Sequence, residues 1–271
     1  MKKILAVLIL LSLALGIAPV VLAEESSVSV FVTVSVAGEW KTVCKEVKVT
    51  DADDDGVLSI SDALYALHEA SYEGGALAGF DAKMGSYGLS LMKLWGDESG
   101  NFGYYLNHVS ANSLAETVKD GDCLDAFVYQ DTDSFSDVYC WFDQQTVSVE
   151  SGKEITLPLT AAGYDESWNP ITLPLAGAVI TMDGEESRWV TDEKGRVTFT
   201  LPKSGKILIG AVSKDEILVP PVCVVTVRDS QQTQNPETGS RERGVLWFAM
   251  LFSLTALLFA RKKNYDKKKI M

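Results

Sequence analysis

Val28-Ser-Val-Phe-Val-Thr-Val-Ser-Val36 alternates without a slip: valine stands at 28, 30, 32, 34 and 36, with Ser, Thr and Phe31 between. Successive side chains of an extended chain point to opposite faces. This period of two therefore predicts a half-buried β-strand with one apolar face and one mostly polar face. β-Branched valine packs well on a pleated surface and is stiff in a helix. Ala37-Gly38 turns the chain, and residues 40–50 predict a second strand folded back as a hairpin. The class is mainly β.

Downstream of this hairpin the period changes once. Ile60, Leu64 and Leu67 are spaced 0, 4 and 7, which predicts one helix over 61–72, ended by Glu73-Gly74-Gly75. Strands are predicted again at 89–94, 103–106, 122–129 and 138–142, the last two joined by the Asp/Ser-rich stretch 131–136. Beyond Asp143 only short strands follow, at 146–149, 154–160, 178–182, 197–201, 207–212 and 218–227. Turn signals such as Asp183-Gly184, Lys194-Gly195 and Ser204-Gly205 separate them. The expectation is an α+β first domain over 24–143 and an antiparallel β-sandwich over 144–228.

Between the hairpin and the helix lies Asp51-Ala-Asp53-Asp-Asp55-Gly56-Val57-Leu58-Ser59-Ile-Ser-Asp62. In a twelve-residue calcium loop, carboxylates at positions 1, 3 and 5 converge on the ion and Gly at 6 permits the sharp turn. Position 7 offers its carbonyl, position 9 holds a water and position 12 supplies a further carboxylate. Asp51, Asp53, Asp55, Val57 and Asp62 fill the ligand positions, and Ser59 stands at 9. Leu58 at position 8 is expected to point into the core. Three carboxylates this close repel one another unless a cation joins them, so Ca²⁺ is the expected cofactor. The bland alternative is a solvated acidic turn. EF-hand-type sensor loops carry Glu at position 12; Asp there resembles the loops of dockerin modules and related extracellular calcium repeats. Dockerins that bind cohesin carry two such repeats, and this chain has one. Its loop follows a predicted strand rather than a helix.

The ends of the chain carry their own signals. Lys2 and Lys3 precede an apolar run over 4–15, then Gly16, Pro19 and small residues up to Ala23 before Glu24. This is the anatomy of a secretory signal peptide over 1–23, cut between Ala23 and Glu24, with a retained anchor as the alternative. At the other end a polar linker, 229–239, contains Asn235-Pro-Glu-Thr-Gly239. An apolar stretch over 244–260 and a basic tail over 261–271 follow it. An apolar stretch closed by cations predicts a C-terminal transmembrane helix with its basic end in the cytoplasm. The order of motif, apolar segment and basic tail resembles the sorting signal of Gram-positive cell-wall-anchored proteins. That resemblance implies cleavage between Thr238 and Gly239 by a sortase and attachment to peptidoglycan. Pro236, Thr238 and Gly239 match the pentapeptide, whereas Asn235 stands where the common form has Leu. An anchor that is never cut gives the same topology, with the middle of the chain at the cell surface.

The sequence holds 24 Lys and Arg against 37 Asp and Glu, and setting aside residues 1–23 and 240–271 leaves 14 cations against 35 anions. A nucleic-acid binder is excluded by that balance, and divalent cations are favoured. Four cysteines, Cys44, Cys123, Cys140 and Cys223, permit two disulfides in an exported chain, with three connectivities. Cys123 and Cys140 lie on predicted neighbouring strands and are the preferred pair; buried free thiols are the alternative.

Trp95-Gly96, Asn101-Phe102-Gly103-Tyr104-Tyr105-Leu106-Asn107 and Asp120-Gly121-Asp122 resemble a bacterial surface domain family related to the C-terminal β domain of transcobalamin. The resemblance covers roughly residues 27–143 and implies a groove in which Trp95, Phe102, Tyr104 and Tyr105 line a small-ligand site. Filling of the core by the same rings is the alternative. Ala176-Gly-Ala-Val-Ile-Thr181 and Thr191-Asp-Glu-Lys-Gly-Arg-Val-Thr-Phe-Thr-Leu-Pro202 resemble immunoglobulin-like or prealbumin-like surface modules, which implies a spacer or stalk. Gly-x-Ser-x-Gly, phosphate-cradling glycine loops and His-Glu-x-x-His are all missing. The two histidines are His68, expected at the surface or edge of the helix, and His108, after the turn residue Asn107. The sequence therefore reads as a non-catalytic, calcium-binding surface protein that presents a module to a macromolecular partner. Capture of a corrinoid-type ligand, or a purely structural stalk, are the other readings.

Overall fold

The computed structural model describes residues 27–229. The expected signal peptide, the motif with Thr238 and Gly239, the apolar stretch and the basic tail lie outside the described residues. Among the described residues no helix is long and apolar enough to cross a membrane.

The described chain is mainly β. Strands β1 (Val28–Val36) and β2 (Glu39–Val49) form the expected hairpin, with a bulge where Val32 pairs Lys45 and Val34 pairs Thr42. The first sheet continues across β1, which pairs in parallel with β7 (Cys123–Val128). Strand β7 in turn pairs with β5 (Phe102–Leu106), and β5 with the two-residue β6 (Val109–Ser110). Val30, Val32 and Val34 are fully buried against helix α1 (Ile60–Ser71), whose Ile60, Leu64 and Leu67 supply the facing stripe. One turn, α2 (Gly75–Gly79), leads to a separate hairpin of β3 (Phe80–Gly85) and β4 (Gly88–Leu94).

The polar face of β1 is the surprise. Thr33 and Ser35 are also buried, because the second domain covers that side of the sheet. Strand β8 (Val138–Phe142), expected at the end of the first domain, is hydrogen-bonded into the second. It pairs antiparallel with β10 (Glu154–Tyr164) and in parallel with β16 (Leu218–Val219). The boundary expected at 143 therefore moves to the connection before Val138. There the Asp137 carboxylate accepts from the backbone N–H groups of Gln130 and Asp131, both at 2.8 Å, and ties the crossover down.

The second domain is a sandwich. One sheet holds β11 (Pro170–Pro174), β10, β8 and β16, with β14 (Arg196–Thr200) also on β10. The other runs β13 (Glu185–Val190), β12 (Val179–Met182), β15 (Gly205–Val212), β17 (Cys223–Arg228) and β9 (Thr146–Glu150). Leu157, Leu159 and Phe199 of the first face Ile180, Ile209 and Val225 of the second in one apolar core. The expected all-antiparallel pattern holds except at two places: β8–β16 and β9–β17 are parallel. The single strand expected over 218–227 is split by Pro220-Pro221, which lack the N–H groups a ladder needs.

The expected Cys123–Cys140 disulfide is not formed. Cys123 opens β7 of the first sheet while Cys140 sits mid-strand in the second domain, and all four cysteines are free thiols. The Cys140 thiol faces the Val219 carbonyl at 3.6 Å, and that of Cys123 faces the Gly121 carbonyl at 3.9 Å.

Candidate metal centre

The acidic loop connects β2 to α1. Its start is fixed by the end of the hairpin and its end by segment 113–118. The Ile60 N–H donates to the Glu116 carbonyl, the Val118 N–H to the Leu58 carbonyl, and the Ser61 N–H to the Leu114 carbonyl. Leu58 is half-buried against the first core, as position 8 requires. Gly56 adopts φ +85°, a left-handed turn that any side chain would strain, and Asp54 at φ +58° joins it in reversing the chain.

This reversal brings Asp51, Asp53 and Asp55 together: one carboxylate oxygen of each lies within 4.8 Å of the others. The loop's own amides partly offset the crowding. Asp51 accepts from the Asp55 N–H at 3.1 Å and from the Gly56 N–H at 2.7 Å, and Asp55 accepts from the Val57 N–H at 2.8 Å. The Asp53 carboxyl is raised above its ordinary value, first by loss of solvent and then by the charges of Asp55, Asp62 and Asp51. Asp53 and Asp55 are exposed and Asp51 half-buried, so the cluster faces open water.

The fourth expected carboxylate sits differently. Asp62 is buried and serves as the N3 residue of a capping box on α1. Its oxygens accept from the Ala52 N–H at 2.9 Å, the Ser59 N–H at 2.9 Å and the Ser59 hydroxyl at 2.6 Å, while Ser59 Oγ accepts from the Asp62 N–H. The structure thus gathers three of the expected carboxylates into one cluster and uses the fourth to lock the loop onto the helix. Its lone pairs are not exhausted by three donors. Val57, expected to offer its carbonyl, stands at the exposed rim beside Asp55.

Neither histidine belongs to this centre. His68 is not at the helix surface but fully buried. Its Nδ1 lies 2.7 Å from the Leu64 carbonyl, and its Nε2 accepts from the Trp95 N–H at 3.0 Å. That pair of partners fixes the Nδ1–H tautomer, and burial holds the ring's pKa down, so it stays neutral. The periodicity of the helix puts His68 one residue after Leu67, on the edge of the apolar stripe, and a ring at that edge was the signal for a buried role. Trp95 packs on this ring and on Tyr72. Phe102, Tyr104 and Tyr105 are likewise half-buried on the sheet. These rings serve packing within the domain and along its seam.

No protein-family model matches the chain, and no curated protein matches it. Solved structures similar to it include the N-terminal four Ig domains of Dscam1, 9% identical over 75% of this chain and 46% of that one, with a TM-score of 0.23. The ectodomain of the teleost fish polymeric Ig receptor is 12% identical over 50% of this chain and 66% of that one, TM-score 0.20. The D0–D1 domain of intimin is 14% identical over 74% and 96%, TM-score 0.23. The chain spans less than half of the Dscam1 fragment, and TM-scores this low assign neither fold nor site.

Proposed function

We propose that this chain is an exported surface protein whose first domain is stabilised by one Ca²⁺ at Asp51, Asp53 and Asp55 and presents a binding surface to a macromolecule. The observation that carries the reading is the convergence of three carboxylates, two exposed and one half-buried, on a loop reversed at Gly56. Asp62 would complete the ion's shell with a remaining lone pair, and the Val57 carbonyl would fill position 7. The second domain is the spacer that holds the first away from the surface, and Thr238–Gly239 the point at which a sortase would join the chain to peptidoglycan. Extracellular sites of this type bind with a Kd of about 10⁻⁴–10⁻³ M, so the ion would be structural rather than a switch.

Calorimetric titration of the full chain with Ca²⁺, beside an Asp51→Ala, Asp55→Ala double variant, tests this. The expected result is about one ion bound to the parent chain and none to the variant, with a raised Tm for the parent alone. Absence of heat and of any Tm change at millimolar Ca²⁺ would reduce the loop to a solvated turn.

A further inference from the structure

The two domains meet on the polar face of β1 and β7, and a half-buried carboxylate lies in that seam. Asp125 of β7 is flanked in its sheet by Thr33 on β1 and Tyr105 on β5. Tyr139 of β8, from the second domain, stacks on Tyr105 at 3.6 Å between ring centroids and donates its hydroxyl to Asp125 Oδ2 at 2.6 Å. On the other side of that hydroxyl, His108 Nδ1 lies at 2.9 Å. The His108 ring is itself stacked on Trp141 of β8, 4.8 Å away and nearly parallel. Phe127, Tyr139 and Val219 close the apolar part of the seam.

We propose that Asp125, Tyr139 and His108 form a reversible hydrogen-bond chain through which uptake of one proton strengthens the seam between the two domains. With Asp125 ionised, His108 Nδ1–H donates to the Tyr139 oxygen and the Tyr139 O–H donates to Asp125. With Asp125 protonated, every bond reverses: the carboxyl O–H donates to the Tyr139 oxygen, and the Tyr139 O–H donates to His108 Nδ1. The ring proton then sits on Nε2. One solvent proton enters at Nε2 of His108, which retains 25% side-chain exposure. The Nδ1 proton passes to Tyr139 and the Tyr139 proton to Asp125, so the count balances and no polar atom loses its partner. Only the charge differs. Only 18% of the Asp125 side-chain surface touches solvent, and an anion there is costly.

The neighbours of Asp125 do little to neutralise it. Thr33 on β1 is uncharged, Cys44 on β2, Cys123 on β7 and Cys140 on β8 are thiols, and Tyr105 and Tyr139 are phenols. Lys206 on β15 acts on Cys44 rather than on Asp125. Among the described residues, the basic group in ion-pair range of Asp125 is His108, at 3.9 Å. Burial therefore pushes the Asp125 carboxyl up to about 6, against the opposing hydrogen bonds from Tyr139 and Thr33. Burial also holds His108 below its usual value. A folded-state pKa raised above the unfolded one gives stability that is complete below the ordinary carboxylate pKa and is lost as pH rises through about 6.

The test is to follow the His108 ring ¹⁵N shifts and the Tm of the full chain between roughly pH 5 and pH 7.5. In the parent chain His108 should stay neutral and exchange one tautomer for the other with a midpoint near Asp125's own, while Tm rises as pH falls. Asp125→Asn should abolish both responses. Tyr139→Phe should abolish the tautomer exchange while leaving a pH-dependent Tm, and this variant carries the test if the Asn variant does not fold. An imidazolium signal at His108 across that range, or an unchanged Tm slope in Asp125→Asn, would overturn the proposal.

Discussion

Asp51, Asp53 and Asp55 crowd together in water on a surface loop, whereas Asp125 stands apart from other acids under stacked rings at the domain seam. Within the crowded group the Asp53 carboxyl is displaced upward, first by loss of solvent and then by the charges of Asp55, Asp62 and Asp51. The solitary group is displaced to about 6 by burial. Dielectric surroundings, more than the number of neighbouring charges, decide how hard it is to keep a carboxylate ionised. The two regions should therefore respond to different agents: the loop to divalent cations, the seam to protons.

Substitutions ought to separate them in the same way. The largest effect is expected at the seam. Phe127 is almost fully buried between Tyr105, Tyr129 and Tyr139, and Phe127→Ala should cost about 3–5 kcal/mol in urea unfolding. That loss should be the same with and without Ca²⁺; a calcium-dependent loss would mean that the two regions are coupled. Next comes Ser59→Ala, which removes the N-cap of α1 and one partner of Asp62. A loss of about 1 kcal/mol is expected, and Ca²⁺ affinity should fall if Asp62 serves as a ligand. The smallest is Asp53→Asn. Without Ca²⁺ it relieves repulsion and should raise stability by no more than about 0.5 kcal/mol; with millimolar Ca²⁺ the sign should reverse in the same melting experiment. A gain that persists with Ca²⁺ would show that Asp53 holds no ion.

The loop was legible because its requirements are local: carboxylates at alternate positions, glycine at the reversal and an aliphatic residue aimed inward all fall within twelve residues. The β1–β2 hairpin and α1 were legible for the same reason, their periods being complete within one element. The seam was not. Thr33 and Ser35 read as a solvent face, since nothing in β1 says that another domain will cover them. Strand β8 is near β7 in sequence, and only its hydrogen bonds to β10 and β16 assign it elsewhere. The β3 strand, Phe80-Asp-Ala-Lys-Met-Gly85, lacks β-branched residues, and the edge strand β13 is mostly polar, so neither gives a propensity signal. His68 was misplaced because the identity of its partners, a carbonyl one turn back and an amide from Trp95, depends on the folded chain.

One end of the described chain lies within a sheet rather than at its margin. Strand β17 runs between β15 and β9, paired antiparallel with one and in parallel with the other, from Cys223 to Arg228. A pull on the chain beyond Asp229, resisted at the first domain, acts along this strand. Hydrogen bonds on both of its sides must then shear together instead of peeling one at a time. The same ladder that closes the sandwich would thus make it a load-bearer, resisting tension along the axis from its exit strand to the seam.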